Sequence, residues 1–549
     1  MSEQFDYIIV GGGSAGCILA NRLSESGDHS VCLLEAGPPD RNPYIHIPAG
    51  FIKTLTDPKL NWLYQAEPSD GTGGRSTPVP RGKTLGGSSS INGHIYNRGH
   101  RLDFDAWAQR GNLGWGYADV LPYFRRCETR IGEGDDTYRG RSGPLTVADI
   151  PMKHALCDAF IAGAGELGIP QNPDYNGAVQ EGISYVQRTA HKGRRVSTAT
   201  AFLNPAKSRS NLTVKTNAQA TRILLDGKRA VGVEVSIGGR DGQRIELKAN
   251  REVIVSGGAI NSPQLLQLSG IGDPEHLTSI GIDVLHALPG VGQNLQDHYA
   301  PRLSARVKGI ETLNERARGL RLLGEIGKYL VGAESIVNLS ATMVYGFWHS
   351  NPDTRSNDLQ FIFTPASFKE GQHGVFDSHP GYTVAAWQHR PESRGHVTAT
   401  SADPFAPPRI QPNYLDTEGD RRMVVEAIKL ARRLMNTNAM QPYNDGESYP
   451  GEDVQSDDEM LDAARRWGNT TYHVMGTCKM GPSSDKIAVV DDQLRVYGME
   501  GLRVIDASVM PAMISANLNA AVMMIGEKGS DLVLGHPALE PVVVPELAG

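Results

Sequence analysis

Cysteine is scarce: Cys17, Cys32, Cys127, Cys157 and Cys478 are scattered through 549 residues. None lies in a CxxC pair, so neither a disulfide framework nor a structural zinc site is expected. A reducing compartment, the cytoplasm, fits that usage better, and the N-terminal stretch carries no basic region or cleavable apolar segment. No run of about twenty apolar residues occurs, which argues against a membrane span. Blocks of one charge sign are absent too. The 54 Lys plus Arg against 61 Asp plus Glu leave a net charge of −7, and so balanced a chain has no electrostatic reason to bind nucleic acid. Ser88, Ser89 and Ser90 lie in no GxSxG elbow, so they do not read as hydrolase nucleophiles. Asp297, His298, Asp377, His379, His389 and His396 show neither HExxH nor tight CxxC spacing, and no metal site is expected from them.

What is abundant is glycine, with 62 residues, in a chain that is 39% hydrophobic and 21% charged. That composition is globular, and the length calls for two or more domains. Phe5–Val10 is a short β-branched apolar run that reads as a buried strand. It enters Gly11-Gly12-Gly13-Ser14-Ala15-Gly16, a GxGxxG sequence, followed by apolar residues at helical spacing from Cys17 to Leu23. A second strand, Ser30–Leu34, ends in Glu35. Gly11 permits a tight turn, Gly13 lets the backbone approach a pyrophosphate, and Gly16 lets helix and strand pack closely. Phosphates would rest on the helix N-terminus, and Glu35 would accept hydrogen bonds from a ribose. The motif alone does not choose between NAD and FAD.

Three later elements make that choice. Arg81 to Asn92 is a Gly/Ser-rich loop running into a small-residue helix start. Gly258 to Gly272 follows the strand Glu252–Ser256. Thr471-Tyr472-His473 precedes a Gly-Thr-Cys turn, and Leu502 to Ala507 leads to Ala516-Asn517-Leu518-Asn519 and a closing helix from Ala521 to Leu534. Together these resemble the glucose–methanol–choline oxidoreductase family over essentially the whole chain, from about Phe5 to about Leu534.

That resemblance implies an α/β protein with an α+β substrate part. A Rossmann-like FAD domain would be assembled from residues 1–155, 205–305 and 485–549. A substrate domain built on an antiparallel sheet would take 156–204 and 306–484. The implied FAD contacts are Gly11, Gly13, Ser14, Ala15, Gly16, Glu35 and Ala36 at the dinucleotide turn, and Ala220 and Gly257 nearby. Trp62, Arg81, Gly86, Gly87, Ser89, Asn92 and Gly93 would contribute from the second loop, and Asp506, Ala507 and Asn519 from the C-terminal part. The His that binds FAD covalently in some members is replaced here by Ile91, so non-covalent FAD is implied.

His473 matches the family's active-site His, and an imidazole is the natural base for an alcohol near neutral pH. Asn517 matches the second catalytic position, where an amide would hold the substrate oxygen. Its alternative role is a helix cap, and Asn519 is the alternative assignment. Tyr472 and Trp62 would supply aromatic walls. No acid lies between Asn338 and Phe347, with Met343 where choline-oxidising relatives carry one. A neutral primary alcohol, aliphatic or aromatic, is therefore expected over choline, with a quinone-type acceptor or O2 as oxidant. Choline oxidation, a hydroxynitrile lyase and a non-catalytic flavoprotein are the alternatives. Gly132–Gly143 reads as a surface loop or lid.

Overall fold

The computed structural model describes residues 3–354, 356–369 and 374–545. The outermost residues of the expected FAD domain, and residues 355 and 370–373 of the expected substrate domain, lie outside that range.

The apolar run at the start of the chain forms the strand Gln4–Val10, flanked by Val31–Leu34 on one side and Gln243–Val255 on the other, all parallel. Leu212–Lys215 extends the sheet beyond Val31–Leu34, and Leu502–Val504 pairs in parallel with Val253–Val255. Val31–Leu34 and the ends Tyr7–Val10 and Val253–Val255 are apolar because helices cover them. The helix Ser14–Leu23 follows the first strand, and Asn519–Leu534 packs beside it so closely that a Cβ on Gly526 would sit 3.1 Å from Ala15 Cα. The N-terminal half of Gln243–Val255 instead pairs antiparallel with Arg229–Ile237, which pairs with Ala218–Asp226.

A second sheet is wholly antiparallel: Asn444–Tyr449, Arg302–Val307, Gly381–Gln388, Leu359–Thr364, Val344–Trp348 and Gly182–Tyr185, in that order. Its strands alternate with period two. Phe361, Phe363, Val384 and Ala386 enter a core shared with Phe160, Val424 and Ile428 of two covering helices. Ile362, Ala385 and Trp387 point the other way and cluster with Ala300. The strand Arg302–Val307 belongs to this sheet, so a boundary between residues 305 and 306 would cut through it. The loop 132–143 is held by Arg141, which donates to the carbonyls of Arg130, Gly132 and Gly134.

Candidate active site

The carboxyl ends of the parallel strands, where ligands bind in open α/β sheets, open on a cavity of about 380 Å³ that also reaches the inner face of the second sheet. Gly11 turns at φ +109°, and a Cβ there would lie 2.4 Å from Ser256 O. A Cβ on Gly16 would lie 1.9 Å from Gly11 O, which is the close helix–strand approach the motif requires. The helix beginning at Ser14 has Gly13 as its cap and no side chain satisfying its first N–H groups. Such an end favours an anion. Glu35 accepts from Gly12 N at 3.0 Å and Gly37 N at 2.8 Å, while burial pushes its carboxyl up to about 7.

Most of the sequence-predicted positions meet on this cavity. Gly11, Gly13, Ser14, Ala15, Glu35 and Ala36 line one end with Ala220 and Gly257. Trp62, Arg81, Gly87, Asn92, Gly93, Asp506, Ala507 and Asn519 line the middle, and His473 and Asn517 the other end. Gly16, Gly86 and Ser89 do not line it; they hold its wall. Gly86 N donates to Gly12 O at 2.7 Å, tying the second glycine loop to the first, and Ser89 Oγ donates to Gly86 O at 2.6 Å. The expected helix start there is a single 3-10 turn, Gly87–Ser90. Asp506 spends its carboxylate on Gly258 N, Ser262 Oγ and both the amide and hydroxyl of Ser508, tying its own turn to the start of the helix Gly258–Leu268. No residue of the loop 132–143 lines the cavity.

The two candidate asparagines separate cleanly. Asn519 Oδ1 accepts from Ser14 Oγ at 2.7 Å, whereas Asn517 Nδ2 lies 3.0 Å from His473 Nε2. The closing helix begins at Asn519, and its cap, Leu518, has no side-chain acceptor. Asn517 is thus not that helix's cap residue.

Two hydrogen-bonded chains converge on His473. From one side, Gln360 Nε2 donates to Tyr345 Oη, Tyr345 donates to Asn517 Oδ1, and Asn517 Nδ2 faces His473 Nε2. On the other, His298 Nε2 lies 2.7 Å from His389 O, and His298 Nδ1 lies 2.9 Å from His473 Nδ1. A carbonyl only accepts, so His298 carries its proton on Nε2. Burial lowers His298 to about 4 and keeps it neutral, which leaves its Nδ1 as an acceptor. The network therefore assigns the His473 proton to Nδ1, and its Nε2 lone pair faces Asn517 and the cavity. Burial first, then His298 and Arg81, hold His473 well below 6.5. Asp297 Oδ1 accepts from His473 N at 2.8 Å and fixes the backbone beneath the ring.

The sequence reading missed Tyr345, Gln360 and the partnership of His298 with His473. Asp297 and His298 were considered only as metal ligands, because nothing in a linear pattern brings residue 298 to residue 473. Met343 is buried in the core beneath the second sheet, and Thr342 and Tyr345 take the wall beside it. Among the described lining residues the only carboxylates are Glu35 and Asp506, neither of them beside the His473–Asn517 pair.

Residues 5–300 and 391–526 match the N- and C-terminal profiles described as GMC oxidoreductase. The chain belongs to the GMC oxidoreductase family. It is 43% identical to the mitochondrial choline dehydrogenase of Mus musculus, over 99% of this chain and 91% of that one. It is 41% identical to the oxygen-dependent choline dehydrogenase of Photobacterium profundum, over 99% and 95%. The fold matches pyridoxine 4-oxidase from Mesorbium loti with a TM-score of 0.87 and 30% identity, over 97% of this chain and 99% of that one. A formate oxidase matches with a TM-score of 0.89 at 27% identity, over 97% and 98%. This GMC protein is accordingly an FAD-dependent oxidoreductase acting on CH–OH donors, and the uncapped helix end, the glycine turn and the Glu35 acceptor suit the phosphates and ribose of a dinucleotide. Among the described residues no helix is long and apolar enough to cross a membrane.

Proposed function

We propose that the protein oxidises a neutral primary alcohol, aliphatic or aromatic, to its aldehyde and passes the electrons to a quinone-type acceptor or O2. The observation that carries this reading is the pairing of His473 Nε2 with the Asn517 amide inside the cavity, 3.0 Å apart. An alcohol oxygen that takes the place of this contact, within reach of both groups, donates its proton to Nε2 and accepts from Asn517 Nδ2 as negative charge builds on it. His473 is the base, already neutral and correctly tautomeric, and Tyr345 holds the Asn517 amide with its nitrogen toward the substrate. FAD, when bound, supplies the acceptor for the hydride that leaves the alcohol carbon. Ile91 lines the cavity where a covalent link would otherwise be made, so FAD is held non-covalently by Gly11 to Ala15, Glu35, Ala36, Ala220 and the loops around Gly87, Asn92 and Asp506. All five cysteines are buried free thiols, in keeping with a cytoplasmic enzyme.

Choline is the second reading, favoured by the names of the relatives. Against it stands the lack of a carboxylate among the described residues that line the His473–Asn517 end of the cavity, since a quaternary ammonium would be buried there without a counter-charge. Anaerobic titration of the purified holoenzyme with alcohols tests both. Bleaching of the flavin band by primary alcohols but not by choline is expected. His473→Ala should slow that bleaching by about 10²–10⁴-fold while the flavin stays bound. A flavin that no alcohol bleaches would bring the hydroxynitrile-lyase reading forward.

A further inference from the structure

Among the described residues that line the cavity four carry a charge, and three are already committed. Glu35 and Asp506 accept from backbone N–H groups, and Arg81 donates to the carbonyls of Pro80 and Tyr472. The fourth is Arg302. It begins the strand Arg302–Val307 opposite Ala385, on the wall that Ala300, Ile362 and Trp387 also form. Its side chain is half-buried and makes no hydrogen bond or ion pair with any described residue. A guanidinium partly stripped of water and left unpaired is costly. Its planar fork of N–H donors matches a carboxylate in two parallel bonds.

We propose that Arg302 receives an anionic end of the substrate, so that a primary alcohol carrying a carboxylate remote from its hydroxyl is preferred over the neutral alcohol of equal length. This rests on the alcohol-oxidising part of the reading above and replaces its neutral substrate with an anionic one. The hydroxyl meets His473 and Asn517, the chain lies along the apolar wall of Ala300, Ala385 and Trp387, and the carboxylate meets Arg302. Ammonium-bearing alcohols are disfavoured twice, by the missing carboxylate and by the like charge of the guanidinium.

The test compares hexanol with the ω-hydroxy acid of the same chain length as anaerobic reductants of the holoenzyme. The hydroxy acid should show a kcat/KM higher by about tenfold to a hundredfold, the range a charge-assisted pair supplies. Arg302→Met should erase that preference, Arg302→Lys should retain part of it, and Arg306→Met, at an exposed position on the same strand, should retain all of it. Hexanoate, which has no hydroxyl to oxidise, should perturb the flavin spectrum of the wild type and not of Arg302→Met. Equal kcat/KM for the two reductants, or a preference that survives in Arg302→Met, overturns the inference while leaving alcohol oxidation standing. If neither reductant bleaches the flavin, the alcohol reading falls, and the hexanoate titration alone decides whether Arg302 binds an anion.

Discussion

Replacing His298 acts on catalysis through one shared proton. With Nε2 occupied by His389 O, His298 Nδ1 is an acceptor for His473 Nδ1–H, and this keeps the opposite His473 nitrogen bare. His298→Leu removes that acceptor and leaves only Thr471 Oγ1, 2.8 Å away, to hold the tautomer. Turnover is expected to fall by about 10²-fold with FAD retained, and His298→Gln, whose amide oxygen accepts, should restore part of it. A merely structural role would instead lower FAD content and turnover together. The acid limb of kcat/KM reports His473 itself. Burial and two neighbouring cationic or potentially cationic groups oppose its protonation, so the limb should lie well below pH 6.5 in the wild type. A limb centred at or above that value would mean another group is the base.

At the scale of elements, the dinucleotide turn tolerates no added atom. A methyl group on Gly16 would lie 1.9 Å from Gly11 O, and the strand and helix would have to separate. Gly16→Ala should cost at least about 1–3 kcal/mol, the range for overpacked contacts, read as a lowered denaturation midpoint and as flavin lost during purification. The turn was legible in the sequence because its demands are local: a positive φ, a close approach, a helix beginning at once. The antiparallel sheet was legible only through family resemblance. Its strands are short, and Leu359–Thr364 and Gly381–Gln388 are covered on both faces, so apolar residues such as Ile362, Ala385 and Trp387 interrupt the face turned to the cavity. That pattern hides the alternation that would mark a strand with one wet face. Arg302 alternates with Leu303, Ser304, Ala305 and Arg306 along its strand, a pattern that gives its face but not what that face meets.

For the whole molecule, the cavity lies between two sheets, each with its own core. FAD bound there couples them, since both must be folded for the cavity to exist. Stripping the flavin should lower the melting temperature of the whole chain, because a ligand held at a thousandfold its Kd contributes about 4 kcal/mol. Differential scanning fluorimetry of apo and reconstituted protein measures this. Acid precipitation should leave the yellow colour in the supernatant. Colour in the pellet would establish a covalent link made by a residue other than Ile91.

The family and the cofactor were legible in the sequence alone, which also nominated His473 with Asn517 or Asn519 beside it, because these rest on contiguous motifs whose spacing is set by a turn and the helix after it. Tertiary structure decided the rest. It showed that Asn517 rather than Asn519 meets His473, because Asn519 is tied to Ser14 across the fold. It put Tyr345 and His298 on either side of the pair, one through Asn517 and one directly, at 172 and 175 residues' separation. It also left Arg302 as the one uncommitted charge among the described residues that line the cavity. Hydrogen-bond polarity and charge compensation depend on which groups share a dry space, and chain distance carries no information about that.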